Sequence, residues 1–191
     1  GENNGEKTER IEKIASILKL VGECAVVDNL PGIRWTKLIQ NATLSGMSAA
    51  LGVTYAEILD NDKATACASH VGNEIVKIVR KRGITLEDIV PGWSYYSLGF
   101  DDKEGLEKAN QWLREYFIPH RKLKASMLQD MEKGRKCEID QINGVACEWG
   151  RKLDIPTPVN DAIVKIVKAF EANELPFPTM KCLDMFELPE L

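Results

Sequence analysis

Lys37, Asn41 and Ser45 stand four residues apart in W-T-K-L-I-Q-N-A-T-L-S. On a continuous α-helix they form one polar stripe that drifts about 40° per step and spans roughly three turns. An ammonium, an amide and a hydroxyl in a row suit a single small polar substrate, because together they offer positive charge, donors and acceptors. On periodicity alone Lys37 reads as a solvated helix lysine on a polar face. Cys67 and His70 are three residues apart on an apolar pattern. That spacing reads as a packed thiol and a surface imidazole rather than as a nucleophile pair. Neither of the two histidines lies at metal-ligand spacing from the other or from any of the five cysteines, so no metal site is expected.

The elements that must position these residues are helical. Ile11, Ile14, Ala15, Ile17, Leu18 and Val21 predict an amphipathic helix over Glu6 to Val21, stopped by Gly22. Cys24 to Val27 reads as a short strand that wants a sheet to join. A helix from Trp35 to Thr43 leads into the small-residue stretch Ser45 to Gly52, where close helix packing is expected. Asp62 to Arg82 carries Ala66, Val71, Ile75, Ile78 and Val79 on one stripe; Gly83 ends it, and Thr85 to Asp88 starts a further short turn. Pro91 to Asp102 is a loop whose Trp93, Tyr95, Tyr96 and Phe100 serve as its hydrophobic anchor.

Lys103 to Tyr116 is again helical, and Pro119-His120 breaks the pattern. Ser126 offers its hydroxyl as an N-cap to the next helix. Helical spacing then runs through Met127, Leu128 and Met131, bends at Gly134, and resumes from Ile139 to Trp149. Pro158 opens a last helix with Ala162, Ile163, Ile166, Val167 and Phe170 inward, and an irregular tail follows from Glu174.

With 191 residues, 44% hydrophobic and 28% charged, the chain can bury one core of an ordinary globular domain. A net charge of -4 argues against a nucleic-acid surface, and Arg80-Lys81-Arg82 reads as a solvated helix end, where cations are favoured. No apolar run approaches a membrane span, and no C-x-x-C pair occurs among the five cysteines. A reduced, cytoplasmic chain is the expectation.

Three blocks resemble one family. W-T-K-L-I-Q-N at Trp35 to Asn41, S-M-L-Q-D at Ser126 to Asp130, and the stretch Cys137 to Asn160, with E-I-D-Q-I-N-G and T-P-V-N, are similar in kind, order and separation to the ketopantoate reductases, which reduce 2-dehydropantoate with NADPH. The resemblance covers most of the chain after residue 30. It implies an all-α domain similar to the C-terminal domains of the 6-phosphogluconate-dehydrogenase-like group. Such an enzyme needs a glycine-rich loop for the cofactor pyrophosphate, and no G-x-G-x-x-G occurs here. The resemblance therefore implies that residues 1–30 are a remnant of a Rossmann nucleotide-binding domain, a helix plus one strand. Residues 31–191 would be the helical substrate-binding and catalytic domain, inactive alone, and NADPH would be held mostly by the missing N-terminal domain.

Lys37 matches the family's catalytic lysine, a general acid beside the carbonyl oxygen of a 2-oxo acid. Asn41 matches an asparagine that bonds the distal hydroxyl of the substrate. Ser45 stands where the family commonly has another asparagine, which puts the identity of the 2-oxo acid in question. Ser126 matches a serine that binds the substrate carboxylate. Glu138 matches a glutamate that orients substrate or cofactor hydroxyls and the lysine, and beside Lys37 it would favour the charged form of both. Asp140 and Asn143 read as structural braces. Two other readings stay open: a reductase of a different 2-oxo acid, and a non-catalytic helical module, with a homodimer as its partner.

Overall fold

α5 (Asp62–Lys81) is the axis of the molecule in the computed structural model, which describes all 191 residues. Its side chains are buried on nearly every face from Ala64 to Val79, as expected of a helix enclosed by others. Small residues make that enclosure feasible. A Cβ on Gly72 would lie 2.6 Å from Leu98 Cδ1, so the loop after α5 closes directly onto helix backbone. Asn61 caps α5 by accepting from the Ala64 N–H at 3.0 Å, and Gly83, in the left-handed region at φ 65°, ends it.

Around this axis pack α2 (Leu30–Gln40), α3 (Met47–Leu51), α4 (Tyr55–Leu59), α6 (Lys103–Tyr116), α8 (Asn143–Leu153) and α9 (Pro158–Glu171), while α7 (Ser126–Glu132) lies on α3. α2 does not stop at Gln40. It runs through a π-helical segment, Asn41–Gly46, straight into α3. Ala42, Leu44, Met47, Ala49, Ala50 and Leu51 are wholly buried there, so the small-residue stretch is the close-packed element that its composition predicts. α8 and α9 are joined by the short link 154–157 and pack on each other. No helix is long and apolar enough to cross a membrane.

Several local expectations are corrected. No strand forms: Cys24 to Val27 is extended but pairs with no ladder, because the chain brings no second strand beside it. Residues 1–5 do run close by, since a Cβ on Gly1 would meet the Val27 carbonyl at 2.2 Å. α1 is shorter than its pattern, Glu9–Leu18, and Gly22 is not in the left-handed region. Only Ala15 of α1 is buried; Ile14, Ile17, Leu18, Leu20 and Val21 are exposed. Thr85 to Asp88 is extended rather than a helical turn, tied to α2 by the Thr36 hydroxyl, which accepts from the Glu87 N–H at 3.1 Å. Gly134 marks a full break, with helix resuming only at Asn143. The tail contains a 3-10 turn, Met180–Met185.

Candidate functional site

The π segment is the structural centre of the candidate site. A π-helix closes i to i+5 bonds and turns more widely than an α-helix, at roughly 4.4 residues per turn. A four-residue step that overshoots by about 40° in α2 falls short by about 30° here, so Ser45 returns towards the azimuth of Lys37. The stripe is straighter than a continuous α-helix would make it. A distant side chain reaches into this segment: Asn143 Nδ2 donates to the Ala42 carbonyl at 3.2 Å.

That bond belongs to a buried relay built from the I-N-G and T-P-x-N motifs. Asn143 Nδ2 also donates to Asn160 Oδ1 at 2.9 Å, and Asn160 Nδ2 donates to Glu74 at 2.6 Å. The Glu74 carboxylate further accepts from the Val159 and Asn160 backbone N–H groups at 2.9 and 3.1 Å, in the first turn of α9. Burial nevertheless pushes Glu74 up to about 7, against the lowering effect of these three donors. Gly46 faces the Asn143 amide so closely that a Cβ would lie 2.4 Å from Oδ1. The brace expected of Asn143 is therefore present, and it grips the segment between Asn41 and Ser45. Asp140 has a different job, an exposed ion pair with Lys168 at 2.6 Å.

Lys37 lies exposed in the last turn of α2, and its Nζ donates to Gln40 Oε1 at 2.7 Å. Asn41 follows, half-buried, at the start of the π segment. Ser45 is buried, its hydroxyl 2.8 Å from the Tyr55 hydroxyl. Ser126 is exposed and is the first residue of α7; it is not the cap, since Ala125 holds that position and no side chain caps the helix. α7 packs on the π segment. Glu138 is exposed in the turn that precedes Asn143. Glu138 and Lys37 form no ion pair; the hydrogen bond of the ammonium goes to Gln40.

Cys67 and His70 are both buried, which corrects the surface imidazole. Burial pushes the Cys67 thiol up to about 12, and burial with the Lys77 charge pushes His70 down to about 4. Neither group is poised for nucleophilic chemistry near neutral pH. Pattern reading also missed Gln40, Tyr55 and Glu74. Only Glu74 carried a signal, as an acidic residue on the apolar stripe of α5 between Val71 and Ile78.

Comparison with known proteins identifies the family. Residues 29–171 match the family described as "Ketopantoate reductase PanE/ApbA C terminal". The 2-dehydropantoate 2-reductase of Pyrococcus horikoshii is 30% identical over 167 residues, which are 87% of this chain and 49% of that protein. Among solved structures, a PanE/ApbA family ketopantoate reductase from Ralstonia eutropha superposes with a TM-score of 0.70 at 23% identity, over 87% of this chain and 50% of that one. D-mandelate dehydrogenase, solved with NADH and anilino(oxo)acetate, superposes at 0.68 and 24% identity, over 86% of this chain and 48% of that one. The chain thus spans about half the length of the curated relatives it matches. With the matched span covering π segment, relay and α9 alike, the chain belongs to the ketopantoate reductase family, in the part that forms its C-terminal domain.

Proposed function

We propose that the complete protein reduces 2-dehydropantoate to pantoate with NADPH, and that this chain supplies the substrate side of the cleft. The observation that carries the reading is the exposed Lys37 ammonium, held by a neutral amide one residue before Asn41 on the wall of the π segment. A cation so held stabilises the alkoxide that develops as a carbonyl is reduced, and it can deliver the proton to that oxygen. Asn41 offers an amide to the distal hydroxyl of the substrate, and Ser126, at the start of α7, offers a hydroxyl to its carboxylate. Glu138 presents an exposed carboxylate, an acceptor suited to substrate or ribose hydroxyls. When bound, NADPH supplies the hydride.

Residues 1–30 are assigned to the nucleotide-binding part and 31–191 to the helical domain. The family match beginning at residue 29 and the uncovered apolar face of α1 support that division. The five cysteines are all unpaired, which suits a reducing compartment such as the cytoplasm.

One observation favours a second substrate. Ser45 and Tyr55 bond to each other at 2.8 Å, so the end of the stripe presents a satisfied hydroxyl pair in place of an amide. This suits a 2-oxo acid without the distal hydroxyl of 2-dehydropantoate. Steady-state turnover of the full-length enzyme with a panel of 2-oxo acids decides between them: 2-dehydropantoate is expected to have the highest kcat/KM, and a strong preference for another acid overturns the first choice. Lys37→Ala in the same enzyme is expected to lower kcat by about 10²-fold or more. Unchanged turnover removes the lysine from the mechanism and leaves the domain a binding module.

A further inference from the structure

The loop expected merely to anchor itself packs its aromatics on Tyr116, two hydrogen bonds away from the proposed catalytic lysine. Lys37 Nζ donates to Gln40 Oε1 at 2.7 Å, and Gln40 Nε2 in turn bonds the Tyr116 hydroxyl at 3.3 Å. The second bond fixes the first, because an amide with its nitrogen turned to the phenol must turn its oxygen to the ammonium. Tyr116 is itself immobilised. Its ring stacks on Trp112 at 4.8 Å and 6°, and meets Trp93, Tyr95 and Phe117 edge-on at 5.5, 5.5 and 4.9 Å. Trp93 and Tyr95 come from the loop 91–102, and Tyr95 is buried.

We infer that Gln40 and Tyr116 are positioning residues for Lys37, and that the aromatic cluster of α6 and the loop 91–102 is the rigid wall from which they act. The inference rests on the proposed role of Lys37. Physically, a free lysine side chain samples many rotamers, and holding its Nζ removes that search before substrate arrives. Gln40 does so without a negative charge. The cation keeps its full field, and two of its three N–H donors remain for a substrate oxygen.

The test uses the full-length enzyme and the 2-oxo acid that it reduces best. Gln40→Ala is expected to lower kcat about tenfold with KM nearly unchanged, and Tyr116→Phe to lower kcat by a smaller factor at an unaltered thermal midpoint. Gln40→Glu places a carboxylate on the ammonium, so the alkaline limb of the kcat against pH profile is expected to move up by about one pH unit. A purely structural role does not move that limb. If Lys37→Ala abolishes turnover while Gln40→Ala and Tyr116→Phe keep wild-type kcat, or while Gln40→Glu leaves the limb in place, the positioning inference fails and the lysine reading survives. If Lys37→Ala turns over normally, both fail.

Discussion

Glu74 and His70 lie one turn apart on α5, and burial displaces their proton affinities in opposite directions. Burial raises Glu74 from 4.5 to about 7, with the nearby Asp161 charge adding to the effect; burial first and Lys77 second lower His70 from 6.5 to about 4. Each displacement corresponds to about 3 kcal/mol of pH-linked stability. For Glu74 the native state binds the extra proton, so its contribution is full below pH 4.5 and is lost as the pH rises through 7. For His70 the unfolded state binds the extra proton, so its contribution is full above pH 6.5 and is lost as the pH falls through 4. Between 4.5 and 6.5 the two slopes cancel, and neither group is visible in the pH profile of the wild-type chain. Substitution exposes them. In urea unfolding followed by tryptophan fluorescence from pH 4 to 7.5, the stability of His70→Gln relative to wild type is expected to rise by about 3 kcal/mol as the pH falls from 7 to 4. Relative to wild type, Glu74→Gln is expected to gain about the same amount as the pH rises from 4.5 to 7.5. Differences from wild type cancel every other titrating group. Two flat difference curves would refute the reasoning, and with it the claim that both side chains are dry in the folded chain.

Two more expectations concern packing. Gly46→Ala drives a Cβ to 2.4 Å from Asn143 Oδ1 and is expected to cost about 1–3 kcal/mol in urea unfolding, whereas in an Asn143→Ala background the added cost is much smaller; additive costs would refute the contact. The Arg82 guanidinium stacks 3.6 Å from the Trp149 ring and 5.1 Å from that of Trp35, so Arg82→Ala is expected to cost about 1–2 kcal/mol, with Arg82→Lys recovering only part; full recovery by lysine would rule out the stacking.

How far the sequence could be read depends on how local each cause is. α5 was legible because its cap, its stripe and its terminal Gly83 all lie within one run of residues. α6 was legible for the same reason, with Asp102 capping Gly105 at 2.7 Å. The strand expected at Cys24 to Val27 does not form because a strand is completed by residues elsewhere, and residues 1–5, though close by, make no ladder with it. Ser126 failed as a cap because Ala125 already turns the chain into the helix. In the candidate site, Lys37 and Asn41 are proposed from their motif alone. Their fixings were not legible: Tyr116 reaches Gln40 across 76 residues, and Asn143 reaches Ala42 across 101.

The π segment is the sharpest instance of this limit. Nothing in N-A-T-L-S-G distinguishes it from an α-helix by period, since its residues are buried on every side but Asn41. Its Ala42 carbonyl accepts from a partner far along the chain. That partner, Asn143, is aimed by Asn160, and Asn160 is held by Glu74 at the start of α9. The two motifs of Cys137 to Asn160 and the motif around Lys37 are therefore one device rather than separate signatures. Three side chains, one each from α5, α8 and α9, brace the helix that carries the stripe. On this account, loss of Asn143 shifts the azimuth of Ser45 relative to Lys37 although no hydrogen bond joins Asn143 to either.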